Sequence, residues 1–222
     1  MIVAVAGGKG GVGKSTIALN LGAELDALVV DGDLAMADLP RGRGPDLHDV
    51  LAGRADPLEG VRRVGATHLL PCGRSLAGAR AADLGRFETV IESVEREFGR
   101  VVIDCPAGLA SDVGTQLYVA DAVVLVTTDT AEAIADGLRT KRFALEAATP
   151  IGAVVLNRAS VSAERKRTIE RTLGASVVTV PSSDEVHDAR TKGRPVRECA
   201  PDAVVTTRIE TLAETIARCE RQ

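Results

Sequence analysis

The chain has 222 residues, 45% of them hydrophobic and 26% charged, with a formal net charge of −4. That length suffices for one α/β domain, residues 1–222, with a sizeable core, and the charge excludes the global basic field that would advertise nucleic acid. Aromatic residues make up only 2% and Trp is absent, so the core must be built from Val, Leu, Ile and Ala.

Strands and helices alternate from one end of the chain to the other, which predicts a doubly wound α/β fold with a mostly parallel sheet. Ile2–Ala6 reads as a strand, Lys14–Leu25 as a helix, and Ala27–Asp31 as a strand apolar enough to be buried on both faces. Pro40–Pro45 is a loop rich in Gly, Arg and Pro. Leu47–Leu51 and Leu58–Val61 read as short helical pieces, and Thr67–Leu70 as a short strand. Leu84, Phe87, Val90, Ile91 and Val94 recur at helical spacing, predicting one helix over Ala81–Phe98. Further strands are expected at Arg100–Asp104, Ala122–Thr127, Gly152–Leu156 and Val177–Val180, with helices at Ser111–Val119 and Ala131–Ala147. A last helix carries Val205, Ile209, Leu212, Ile216 and Cys219 in one stripe.

Between the first strand and the first helix stands Gly8-Lys9-Gly10-Gly11-Val12-Gly13-Lys14-Ser15. It fits G-x-x-x-x-G-K-[ST] in the strand–turn–helix context that a phosphate-binding loop requires. Glycines let backbone N–H groups curl around an anion, and the first turn of the following helix, Lys14 to Thr16, adds unpaired donors and a positive dipole end. Lys14 is placed to reach the β- and γ-phosphates and the Ser15 hydroxyl to bind Mg²⁺. Two more strands end in carboxylates at the mouth where ligands bind in open sheets: Asp31-Gly32-Asp33 and Asp104-Cys105-Pro106-Ala107-Gly108. An apolar strand ending in Asp is the pattern that places Asp104 as a magnesium-side carboxylate.

The run from Lys9 to Ser15 resembles the deviant Walker A motif of the MinD/ParA family of ATPases, and the order of motifs from Met1 to about Val196 is similar to that family, closest to its MinD-like members. The resemblance implies a catalytic Lys9 that crosses a dimer interface to a partner's nucleotide, much as an arginine finger does. It implies an Asp33 that orients the attacking water and joins Ser15 and Asp104 around Mg²⁺, with Asp31 in support. Asn157 and Arg158, which follow the strand at 152–156, and the loop opening at Pro181 would meet the adenine. ATP would close a homodimer, and a protein activator or cargo adaptor would stimulate hydrolysis. Asp136 falls where the family carries an acidic residue near its interface, although a structural role is preferred for it.

MinD-like members of that family commonly end in a basic amphipathic helix that binds membrane. Here Arg208, Arg218 and Arg221 are balanced by Glu210, Glu214 and Glu220, so direct membrane binding is not expected. The main rival is a ParA-type protein binding non-specific DNA through the basic stretches Arg158–Arg171 or Val186–Arg197, each of which could equally be a solvated face. An iron–sulfur carrier with the same loop would use paired cysteines; Cys72, Cys105, Cys199 and Cys219 form no C-x-x-C, and His48, His68 and His187 show no ligand spacing. A ligase of the dethiobiotin-synthetase type would show a substrate motif, and none is visible. No leader precedes the first strand and no stretch is long and apolar enough to span a membrane, so a cytoplasmic protein is the expectation.

Overall fold

The computed structural model describes residues 1–40, 42–108 and 111–220. Its elements run β1 (Ile2–Ala6), α1 (Lys14–Leu25), β2 (Leu28–Asp31), α2 (Leu47–Leu51), a 3₁₀ turn at Pro57–Gly60, β3 (Arg62–Val64), β4 (Thr67–Leu70) and α3 (Leu76–Ala81). There follow a second 3₁₀ turn at Leu84–Arg86, α4 (Phe87–Phe98), β5 (Val101–Asp104), α5 (Ser111–Tyr118), β6 (Ala122–Thr127) and α6 (Ala131–Glu146). The chain closes with β7 (Ile151–Asn157), α7 (Ala163–Leu173), β8 (Val177–Val180), α8 (Asp184–Thr191), α9 (Val196–Cys199) and α10 (Val204–Cys219).

Among the described residues eight strands form one sheet in the order β3-β4-β2-β5-β1-β6-β7-β8. Every neighbouring pair is parallel except the β3–β4 hairpin. Successive side chains of a strand point to opposite faces, and here both faces are covered. Val3 and Val5 of β1 pack with Ile17 and Leu21 of α1 and with Ile209, Leu212 and Ile216 of α10. Ile2 and Ala4 pack on the other side with Phe87, Ile91 and Val94 of α4 and Leu117 of α5. A smaller cluster seats Leu125 and Leu156 against Ile169 and Leu173 of α7. Burial on both faces explains the unbroken apolar strands, each fully buried aliphatic side chain contributing about 1.5–3 kcal/mol.

Several expectations need correction. The helix read over Ala81–Phe98 is broken: α3 ends at Ala81, Ala82 is extended, and the Asp83 carboxylate accepts the Gly85 N–H at 2.9 Å to start a 3₁₀ turn. Aspartate competes with helix in this way by capping a new start. The hairpin strand Arg62–Val64 was not anticipated because it is short and charged; its turn at Gly65 (φ +62°) is tied down by the Glu198 carboxylate, which accepts the Ala66 N–H at 2.6 Å. Most of α7 lies within Arg158–Arg171 and most of α8 within Val186–Arg197, the two helices capped by Ser162 and Ser183. The last strand residue of β7 is Asn157 itself, not Leu156. Cys219, placed in the buried stripe of the last helix, is exposed at its end. Arg41 of the Pro40–Pro45 loop and Arg221 lie outside the described residues.

Candidate functional site

The C-terminal ends of β1, β2 and β5 lie side by side, in register through the pairs Val5↔Asp104 and Asp31↔Asp104. This edge collects the loop after β1 and the carboxylates ending β2 and β5. The first turn of α1 has Gly13 at its N-cap, in a left-handed conformation (φ +100°) with no side-chain cap, so its N–H groups stay available for an anion. Gly13 is also tightly fitted: a Cβ there would come within 2.2 Å of the Asn157 amide nitrogen. Lys14 is buried, and Ser15 and Thr16 half-buried, at the start of the helix.

Asn157 and Arg158 brace this loop from the end of β7. The Asn157 amide donates to the Val12 carbonyl at 2.8 Å, and its Oδ1 accepts the Arg158 N–H at 3.0 Å. The Arg158 guanidinium donates to the Gly11 carbonyl, from a residue held at φ +53°. A cleft of about 830 Å³ opens here, lined by Gly11, Gly13, Lys14, Ser15, Thr16, Asn157, Arg158 and the loop from Pro181 to Asp184. Its size falls within the range of small-molecule sites.

The carboxylates gather beside the first turn of α1, where Asp104 feels Ser15, Lys14, Asp31 and Asp33. Asp104 is buried; desolvation pushes its carboxyl up to about 8, opposed by the Ser15 hydroxyl that donates to it and reinforced by Asp31. Asp31 is pushed up to about 7, chiefly by burial, against hydrogen bonds from the backbone N–H groups of Asp33, Leu39 and Cys72. Asp31 Oδ2 and Asp104 Oδ1 are buried without a hydrogen-bond partner among the described residues. Two neighbouring carboxylates beside a hydroxyl form an oxygen donor set suited to a hard cation. No group of three or more His, Cys, Asp or Glu side chains able to hold a metal occurs among the described residues. A cation here would therefore complete its shell from phosphate and water, which is the usual manner of Mg²⁺. Asp33 is half-buried, and its Oδ1 accepts the Ala35 and Met36 N–H groups at 3.2 and 2.8 Å, forming a tight turn.

Lys9 stands apart from the cleft. Its ammonium meets Glu132 of α6 at 3.2 Å, with both side chains exposed. Gly8 packs on the backbone of Asp136, whose carboxylate pairs with Arg139 at 2.7 Å on its own helix. Gly10 lies in open space between these two sides of the loop.

A family model described as the CobQ/CobB/MinD/ParA nucleotide-binding domain matches residues 3–196. The chain belongs to that family. An uncharacterized ATP-binding protein of Methanocaldococcus jannaschii is 34% identical, over 98% of this chain and 88% of that protein. The fold is similar to the cell division ATPase MinD of Pyrococcus furiosus, with a TM-score of 0.90, 27% identity and 98% of each chain covered. It is equally similar to the septum site-determining protein MinD of Pyrococcus horikoshii complexed with Mg-ADP, with a TM-score of 0.90, 25% identity, and 99% and 96% of the two chains covered. The eight-stranded, mostly parallel sheet is thus the family's P-loop fold, and the relatives named include ATPases of cell division.

Two residues at the site escaped the sequence reading. His48, on α2, donates from Nε2 to the Leu34 carbonyl at 2.9 Å, just past Asp33. Gln116, on α5, donates to the Gly32 carbonyl at 2.7 Å. Neither has a motif around it, and only the fold brings α2 and α5 against the end of β2.

Proposed function

We propose that this chain is a single-domain ATPase that binds Mg·ATP in the cleft, hydrolyses it to ADP and phosphate, and couples that cycle to positioning cellular machinery. The observation carrying the reading is the convergence of an uncapped α1 N-terminus, the buried Lys14, and Ser15 hydrogen-bonded to a buried Asp104 with a free oxygen. The Mg-ADP of the Pyrococcus horikoshii relative and the ATPase activity in the name of the Pyrococcus furiosus one support it.

In this reading the backbone from Gly8 to Thr16 and the Lys14 ammonium hold the phosphates. Ser15, Asp104 and Asp33 would hold Mg²⁺, which when bound neutralises charge on the β- and γ-oxygens. Asp33 orients the attacking water from its turn. Asn157 keeps one amide N–H and one Oδ1 lone pair beyond its contacts with the loop, and these suit the donor–acceptor edge of adenine. Arg158 and the loop at Pro181 close the base side. Lys9 is exposed at the rim, where a second copy can meet it, and supplies its cation across a two-fold homodimer. A protein activator or cargo adaptor then sets the rate.

Phosphate release from purified protein with Mg·ATP tests the reading, with Lys14→Ala as the control. Turnover that survives Lys14→Ala unchanged overturns it. A gel shift with ATP and DNA at rising salt checks the partition-type alternative, whose phosphate contacts must weaken with salt. Part of the first basic stretch is already engaged, since Arg165 pairs with Asp129 at 2.8 Å and Lys166 with Glu170 at 3.9 Å.

A further inference from the structure

The segment Asp31-Gly32-Asp33 is gripped from two sides by backbone and side-chain contacts that no motif announces. On one side the Gly32 N–H donates to the Asp104 carbonyl at 3.0 Å. On the other the Gly32 carbonyl accepts from Gln116 Nε2 at 2.7 Å. The fit leaves no slack: a Cβ at Gly32 would stand 2.6 Å from Gln116 Oε1 and 3.0 Å from the Asp104 carbonyl oxygen.

Gln116 is fully buried. Its Oε1 has no hydrogen-bond partner among the described residues. An amide buried at that depth with half its polar capacity unmet is a costly way to fill a core, which Met or Leu would fill without the penalty. What it provides is a donor aimed at one carbonyl. Its own position is fixed. The neighbouring Leu117 is fully buried in the core on the α4 side, and the Leu117 carbonyl accepts the Thr149 hydroxyl at 2.7 Å from the loop before β7. Val113, one turn earlier, is buried in the same cluster. Gln116 is therefore a rigid reference point set into the core.

We propose that Gln116 is a positioning residue for the reaction: it holds Gly32 against Asp104 and so fixes where Asp33 presents its carboxylate at the phosphate end of the cleft. This rests on the ATPase reading above. Asp33 follows Gly32 directly, and its own carboxylate is already turned into the Ala35–Met36 turn. The backbone at Gly32 is thus the support on which that turn stands. Without the Gln116 donor the Gly32 carbonyl is buried and unpaired, and the segment can tilt by a fraction of an ångström. Misplacement on that scale affects a water-orienting group far more than a phosphate cradle built on α1.

The test uses Gln116→Met, which keeps the length and burial but removes the donor, and Gly32→Ala, which crowds the same contact from the other partner. For Gln116→Met the expected result is a kcat lower by on the order of tenfold, with KM for Mg·ATP within about twofold of wild type. In the nucleotide-free protein, hydrogen exchange at the Gly32–Met36 amides should speed up by about tenfold. Gly32→Ala should lower kcat in the same way, and the pair Gly32→Ala with Gln116→Ala should lose less than the sum of the single effects, because the smaller side chain makes room. An unchanged kcat together with unchanged exchange in Gln116→Met overturns the proposal, as does strict additivity in the double variant. The exchange measurement needs no nucleotide. If wild type neither binds nor hydrolyses ATP, the ATPase reading fails, and exchange alone still decides whether Gln116 holds the segment.

Discussion

At the scale of single residues, the site depends on groups whose environment departs from that of an exposed side chain. Lys14 is buried at the start of α1, so Lys14→Ala should weaken Mg·ATP binding by on the order of 100-fold, through loss of a charge-assisted bond, as calorimetry would show. Asp104→Ala should keep weak nucleotide binding but lose its dependence on magnesium. Gly13→Ala forces a Cβ into a backbone at φ +100° and to within 2.2 Å of the Asn157 amide, and should destabilise the fold by about 1–3 kcal/mol in chemical denaturation. The buried carboxylates also set a pH dependence. Asp31 and Asp104 have folded pKa values raised to about 7 and about 8. The folded protein therefore holds protons that the unfolded chain has lost above about pH 4. Their contribution is full below that value and is lost as pH rises through 7 and 8. Denaturation of the nucleotide-free protein should give lower stability at pH 8 than at pH 5, and a smaller difference in Asp104→Asn. Equal stability at both pH values would remove the pair from this role.

At the scale of elements, the turn after β2 and the last helix behave differently. The Asp33–Met36 turn is stabilised by its own side chain and carries Met36 at 76% exposure, so it can change without disturbing α1. Asp33→Ala should then bind ATP and dimerise normally while turnover falls by about 100-fold or more, the range of a lost acid–base or water-positioning group. Wild-type turnover would exclude Asp33 from the mechanism. The helix α10 spends its apolar stripe indoors: Val205, Ile209, Leu212 and Ile216 are packed with α1 and the sheet. That stripe is therefore not available to a lipid surface, and no helix of the described residues is long and apolar enough to cross a membrane. The protein should not pellet with anionic liposomes, with or without ATP.

At the scale of the whole molecule, the proposed dimer turns on Lys9. It lies outside the cleft in an exposed pair with Glu132, and such a pair is worth less than about 1 kcal/mol. A partner's γ-phosphate would outcompete it readily. Wild type should sediment as a monomer with ADP and move toward a dimer with a non-hydrolysable ATP analogue. Lys9→Ala should still bind nucleotide through Lys14, yet stay monomeric and lose most of its turnover, as when a cation supplied in trans is removed. Normal dimerisation and turnover in Lys9→Ala would refute the exchange of lysines.

Much of this was readable in one dimension because it is local. The loop from Gly8 to Ser15, the strand boundaries at Ala6, Asp31 and Asp104, and the alternation that demands a doubly wound sheet all follow from residue type and spacing within a few turns of chain. Helix boundaries were less secure where one side chain redirects the backbone, as Asp83 does between α3 and α4. What the sequence could not contain was the company each residue keeps. Strand order places Asp31 beside Asp104 although 73 positions of chain separate them in the numbering, and it is chiefly burial, with neighbouring carboxylates adding to it, that raises both carboxyls. Asn157 braces Val12, and Gln116 grips Gly32, across separations of 145 and 84 residues. Such contacts arise from the packing of whole layers, so no local pattern encodes them. The chemistry of the phosphate loop was written in its own residues, while the orientation of the groups that serve it was decided by the tertiary fold.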